Sequence, residues 1–194
     1  IAIDGPAASG KSTAAIGVSK RLGITYLDTG AMYRAVTFGL IDNNIEFKKS
    51  TIIEKFLEKV DIKFSKSSSG VLLTLNGRNI TQEIRSEIVT KNVSEVSAIK
   101  SVRKSMVLIQ RKMAEVDDCI LEGRDIGTVV FPNADFKFFL VADEKARARR
   151  RLEDLKAIGE QSSVEKVMID LMERDHKDST RQHSPLRKSD DAII

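Results

Sequence analysis

Gly5, Gly10, Lys11 and Ser12 stand at the spacing G-x-x-x-x-G-K-[ST], and those residue types at that spacing handle phosphate. Glycines let successive backbone N–H groups turn toward one point, and a helix opening just behind them aims its positive end at the same place. A lysine there adds a mobile cation between the outer phosphates of a nucleoside triphosphate, and a serine hydroxyl can ligate Mg2+. The stretch Gly5-Pro6-Ala7-Ala8-Ser9-Gly10-Lys11-Ser12-Thr13 is therefore expected to cradle the phosphates of a nucleoside triphosphate.

A phosphate loop names the ligand but not the reaction. Arginines near element ends carry that information. Asp28-Thr29-Gly30-Ala31-Met32-Tyr33-Arg34 turns into a helix, with Thr29 expected as its N-cap and Arg34 one turn inside. Glu122-Gly123-Arg124-Asp125 follows an apolar strand. Glu173-Arg174-Asp175 and Asp178-Ser179-Thr180-Arg181 end a long helix. Three such segments converging on one cleft would serve phosphoryl transfer, where catalysis is mostly positioning and neutralisation of charge. Arg147, Arg149, Arg150 and Arg151 form a basic run whose members are expected mainly on a solvated helix face. Gly159 and Gln161-Ser162-Ser163 follow it, so the run is also a candidate lid that would exclude water. His176 and His183 have no partner at metal-ligand spacing and are expected to be solvated.

The elements that must position these groups alternate. Ile1–Ile3, Thr25–Leu27, Cys119–Leu121 and Phe136–Val141 are expected strands, and Ala192–Ile194 begins another. Helices are expected over Ser12–Arg21, Ala31–Asn43, Val102–Val116, Glu144–Ile158 and Val164–His176. This rhythm predicts an α/β fold of three layers, a central parallel sheet between helices, with ligands at the carboxyl ends of the strands. The middle departs from it. Asp61–Lys66, Val71–Leu75 and Arg78–Ile80, separated by a Ser-Ser-Ser-Gly turn and by Asn76-Gly77, predict a three-stranded antiparallel insert. It is expected between helices at Ser50–Val60 and Thr81–Ala98, as a holder of the second substrate.

Composition narrows the classes. The 194 residues suffice for one core domain with an insert. Lys and Arg number 32 against 28 Asp and Glu, and aromatic residues are 5%, so stacking platforms for nucleic acid are scarce. No apolar run reaches membrane-spanning length and no signal-peptide pattern opens the chain. One cysteine, Cys119, forms no internal disulfide and suits a reducing cytoplasm. No long apolar heptads argue for a coiled partner, so a monomer is expected. The chain opens inside a strand and stops at Asp190-Asp191-Ala192-Ile193-Ile194 as another begins. Missing residues are expected at both ends, a closing strand and helix among them.

Taken in order, Gly5–Thr13, Leu27-Asp28-Thr29-Gly30-Ala31-Met32-Tyr33-Arg34, Gly123-Arg124-Asp125-Ile126-Gly127-Thr128-Val129-Val130-Phe131-Pro132 and Glu173-Arg174-Asp175 resemble the bacterial cytidylate kinases over nearly the whole chain. The resemblance implies that the triphosphate cradled by Gly5–Thr13 is ATP and that its γ-phosphoryl group passes to CMP or dCMP, with Mg2+. It implies a core (about 1–28, 100–145 and 180–194), a monophosphate-binding region (about 29–99) and a lid (about 146–165). By position, Arg34, Arg124 and Arg181 match contacts to the monophosphate. Ser94, Arg103 and Asp125, with Thr29 alongside, match contacts to the base, and Arg174 and Asp178 match residues near the sugar. Lys11, Arg124, Arg174 and Arg181 are the implied catalytic set. Glu122 stands where family members often carry Asp, and Thr29 where some carry Ser.

Cytosine fits such a pocket on chemical grounds, because its N4 amino group donates beside acceptors at N3 and O2. Uracil would set an acceptor against Asp125. Two rivals stay open at this stage. Another small-molecule kinase, for UMP, AMP or a sugar acid, would keep Lys11 and the lid. A nucleotide-binding switch would require a guanine-reading N-K-x-D motif, and the sequence contains none.

Overall fold

The chain begins with β1 (Ala2–Asp4), α1 (Lys11–Leu22), β2 (Thr25–Asp28), α2 (Thr29–Asp42) and α3 (Ser50–Leu57). The expected insert follows as β3 (Ile62–Ser67), β4 (Gly70–Leu75) and β5 (Arg78–Asn79). Next come α4 (Glu87–Ala98), α5 (Lys100–Ala114), β6 (Cys119–Gly123), β7 (Lys137–Phe139), α6 (Glu144–Ala157) and α7 (Val164–Thr180). This computed structural model describes residues 1–67, 70–157 and 159–194. Ser68 and Ser69 of the expected serine turn, and Ile158 at the expected end of a helix, lie outside the described residues.

Chain contacts divide the molecule into two units, one of residues 1–28 and 114–194 and the other of residues 29–113. The first is built on a parallel sheet in the order β2-β6-β1-β7. Its register sets Asp28 opposite Glu122 and Asp4 opposite both Gly123 and Phe139. Those residues lie in two adjacent rows at the carboxyl edge, where an open parallel sheet binds its ligands. The strands are short and apolar because both faces are covered; Ile3, Ile120 and Ala15 pack together there. Ile193 bridges Phe138 in parallel, with its N–H on Lys137 O at 3.0 Å, so the strand expected at Ala192–Ile194 begins beside β7.

The second unit carries its own core. Met32, Ala35, Val36 and Leu40 of α2 are fully buried, with Ile53, Ile80, Val96, Val102 and Met106. β3, β4 and β5 form the expected antiparallel meander, Phe64 opposite Leu73 and Thr74 opposite Asn79. Asn76 and Gly77 both take positive φ, 52° and 80°, as the tight turn between twisted strands requires. Helix bounds differ from expectation at several ends: α2 starts at Thr29, α3 stops at Leu57 and α5 spans Lys100–Ala114. Two further differences have a local cause. The segment from Thr81 starts as a single 3₁₀ turn at Glu83–Arg85, where the Ser86 hydroxyl bonds back to Glu83 O, and only then enters α4. α7 runs four residues past His176, because the Ser179 and Thr180 hydroxyls bond to the His176 carbonyl within the helix.

Candidate active site

The phosphate loop leaves β1 and enters α1. Gly5 sits at φ +147°, and a Cβ there would lie 2.2 Å from Leu140 O, so no larger residue fits. Lys11 is 5% exposed, and its ammonium donates to Pro6 O at 2.6 Å, with Ser9 Oγ at 3.4 Å. Burial holds its pKa well below the usual lysine value. Arg124 and Arg174 add repulsion, which Glu122 and Asp4 partly oppose.

The loop is gripped from the side. Ala7 N–H donates to Asp175 Oδ1 at 2.9 Å, and Ala7 O accepts from Arg147 Nη1 at 3.0 Å. Arg147 and Asp175 are themselves an ion pair. Arg150 Nη1 reaches Ser9 O at 3.3 Å. Arg147 therefore does not lie on a solvated face. It shares the inward side of α6 with Ala148, which packs against Ala7, Val167 and Leu171.

Hard oxygen donors gather at the edge of β2 and β6. Tyr26 hydroxyl donates to Glu122 Oε1, and the Ser12 hydroxyl bonds in the same group. Glu122 is 6% exposed. Burial raises its pKa, and the Asp28 carboxylate raises it further. The Tyr26 hydroxyl is driven upward by the same burial and the same two carboxylates.

Beside β6 lies a network of guanidinium and carboxylate groups. Arg124 Nε donates to Asp178 Oδ2 at 3.0 Å and its Nη1 to Gly123 O at 3.2 Å. Arg181 Nη2 meets Asp125 Oδ1 at 3.3 Å, Nη1 lies 3.9 Å from Asp178 Oδ1, and Nε donates to Ser184 O at 2.6 Å. Asp178 thus stands between two arginines. Arg174 is pulled down to about 10, by burial first and then by Arg124. Its Nε is buried with no hydrogen-bond partner among the described residues.

Lys11, Ser12, Arg124, Asp125, Arg174, Asp178 and Arg181 all belong to the sheet unit. Thr29, Arg34, Ser94 and Arg103 belong to the other. Thr29 is the first residue of α2 rather than the N-cap expected of it, and it is buried. Arg34 Nη1 donates to Thr90 Oγ1 at 2.9 Å and to Ile84 O at 3.2 Å. Ser94 is half-buried on α4. Arg103, 4% exposed, donates to Ser97 O at 3.1 Å, with its guanidinium carbon 5.2 Å from the centre of the Tyr33 ring.

Asp4, Tyr26, Tyr33, Arg147 and Asp175 escaped the sequence reading as site residues. Only Asp4 had a local signal, as an acid on an apolar strand directly before the glycine. His176 is exposed and His183 half-buried. Among the described residues no three His, Cys, Asp or Glu side chains group to hold a metal. No described helix is long and apolar enough to cross a membrane.

Comparison with known proteins finds relatives over the entire chain. Residues 1–194 match the family described as cytidylate kinase. A cytidylate kinase of Carboxydothermus hydrogenoformans is 47% identical over 194 residues, covering 100% of this chain and 87% of that protein. One from Halalkalibacterium halodurans is 46% identical over 193 residues, with coverage of 100% and 87%. One from Fusobacterium nucleatum subsp. nucleatum is also 46% identical over 193 residues, with the same coverage.

Proposed function

The chain belongs to the cytidylate kinase family and is an enzyme that moves the γ-phosphoryl group of ATP to CMP or dCMP, and we propose a residue-level account of how it does so. The loop Gly5–Thr13 takes the ATP phosphates. Lys11 exchanges Pro6 O for phosphate oxygens, an exchange favoured because its ammonium is held in an environment that disfavours its charge. Arg34, Arg124 and Arg181 hold the acceptor monophosphate, and Arg174 with Asp178 lies near the sugar. Thr29, Ser94, Arg103 and Asp125 read the base. A monophosphate oxygen then bonds to the γ-phosphorus as the bond to the β-phosphate oxygen breaks, giving ADP and CDP or dCDP. The segment at about 146–165 acts as the lid, and the enzyme works as a monomer, which sedimentation would check.

The observation that carries this account is the burial of Lys11 and Arg174 beside Arg124, which disfavours the charge of both. A polyphosphate is the ligand that relieves it.

The residues also fit Mg2+. Ser12 and Glu122 are adjoining hard oxygen donors, and Asp28 is close enough to raise Glu122. Mg2+ is normally held by one or two carboxylates plus substrate phosphates and water, so the lack of a larger acidic cluster among the described residues suits it. When bound there, Mg2+ would offset charge on the β- and γ-phosphate oxygens.

The test is ADP formation with CMP, dCMP, UMP and AMP. CMP and dCMP should be the best acceptors, and Asp125→Ala should cut the CMP-over-UMP ratio by at least about tenfold, because a buried polar mismatch discriminates strongly. Comparable rates on CMP and UMP in the unaltered enzyme would remove Asp125 from the role of base reader.

A further inference from the structure

Asp4 is the last residue of β1 and directly precedes the first glycine of the phosphate loop. The motif G-x-x-x-x-G-K-[ST] does not include it. The residue is 5% exposed, and its carboxylate spends both oxygens on one backbone segment. Oδ1 accepts from Ile126 N–H at 2.8 Å and Oδ2 from Gly127 N–H at 2.7 Å. Those amides open the wide turn Ile126–Val130, which begins one residue after Asp125 and two after Arg124. Gly127 lies against the carboxylate: a Cβ there would stand at ordinary contact distance, 3.4 Å, from Asp4 Oδ2, with Ser189 Oγ at 3.3 Å and Lys137 Cδ at 3.2 Å.

Leaving an acid in so closed a place is unfavourable, and two short charge-assisted bonds offset only part of that cost. An apolar residue at the end of a buried strand would avoid it entirely. The charged groups around Asp4 are Arg124 and Asp125 from the end of β6 and Lys11 from the start of α1. Asp4 forms no ion pair with any of them; it bonds the backbone that carries two of them.

We propose that Asp4 is a positioning residue for the acceptor, holding the Arg124–Gly127 backbone so that Arg124 and Asp125 keep one fixed register against the strand that feeds the phosphate loop. Asp4 touches neither substrate in this role. It acts through Asp125 and Arg124, and the inference rests on the reading that those two side chains contact the acceptor. A carboxylate suits the task because its two oxygens can each take one amide, which no other short side chain achieves without presenting a donor.

Asp4→Asn keeps the shape but turns an NH2 group toward one of the two amides. With Asp4→Asn, KM for CMP should rise at least about tenfold while KM for ATP stays within about threefold. The ratio of kcat/KM for CMP over UMP should fall. In an Asp125→Ala background, Asp4→Asn should cause no further loss of that ratio, because the group it positions has gone. A purely structural Asp4 would lower thermal stability while leaving the two KM values and the CMP-over-UMP ratio where they were, and that result overturns the inference. So do losses that multiply in the double variant.

Should Asp125→Ala alone leave the ratio untouched, the base-reading assignment fails; a selective rise in KM for CMP with Asp4→Asn would still support Asp4 acting through Arg124. Where Asp4→Asn does not fold, amide exchange in the unaltered protein decides. Amide exchange needs no variant at all. Ile126 and Gly127 N–H should be as protected as the amides of β1, and free exchange at both would overturn the proposal.

Discussion

Asp178 shows how much one side chain can carry in this protein. It is 4% exposed and faces Arg124 on one oxygen and Arg181 on the other. Deleting one member of a buried ion network typically costs 3–5 kcal/mol, because the remaining charges stay in place uncompensated. Asp178→Ala should therefore lower unfolding free energy by about 3 kcal/mol or more, as read by denaturant titration. It should weaken CMP binding as well, since two arginines lose their common anchor. A second prediction concerns pH. Burial pushes Asp4 up to about 6 from 3.8, so between those values the folded protein binds a proton that the unfolded chain has released. The favourable contribution is present below about pH 4 and is lost as pH rises through about 6, amounting to about 3 kcal/mol. Subtracting the stability–pH curve of Asp4→Asn from that of the unaltered protein should leave a fall of that size across this window. A flat difference would mean that Asp4 is not held in so unfavourable a site.

At the scale of elements, the phosphate loop holds two opposite kinds of backbone demand. Gly5 has positive φ and no room for a Cβ, which would meet Leu140 O at 2.2 Å. Ala8 has positive φ, 56°, but carries a Cβ. Gly5→Ala should abolish activity and leave little soluble protein, because backbone would have to move. Ala8→Gly should relieve left-handed strain of about 1–2 kcal/mol and lose up to about 1 kcal/mol to the greater freedom of the unfolded chain. Its melting temperature should thus stay within a few degrees, and it should remain active. The contrast bears on legibility. The glycine pattern, the strand–helix rhythm and the Asn76-Gly77 hairpin are local signals, and each yielded an element where it was expected. Arg147 was misplaced because a run of arginines on a helix is usually solvated. What buries it is Asp175, 28 positions away, together with the Ala7 carbonyl 140 positions away. Tyr26 on Glu122 and the Arg103 guanidinium over Tyr33 are likewise contacts between distant positions that no spacing announces. The bonds from Ile126 and Gly127 N–H to Asp4, 122 and 123 positions away, are of the same kind.

Across the whole molecule, the side chains with displaced ionisation at the site, namely Asp4, Lys11, Tyr26, Glu122 and Arg174, all lie in the sheet unit. The other unit contributes a separate apolar core around Met32, Ile53, Ile80 and Met106. Electrostatic tension is thus concentrated in the part that carries the phosphate loop, and an incoming polyanion is what releases it. Ligand at about 100 times its dissociation constant stabilises the folded state by about 2.7 kcal/mol. For a chain of this length each kcal/mol is worth roughly 2–4 °C. A non-hydrolysable ATP analogue with Mg2+ should therefore raise the melting temperature by roughly 5–10 °C, and the dissociation constant should change little with salt, because the cations are buried and poorly screened. Lys11→Ala should remove most of that rise while sparing the fold, since it deletes a buried cation that other cations oppose. If Lys11→Ala instead kept the full rise, the analogue would be held by something other than the loop, and the link between buried charge and nucleotide binding would break.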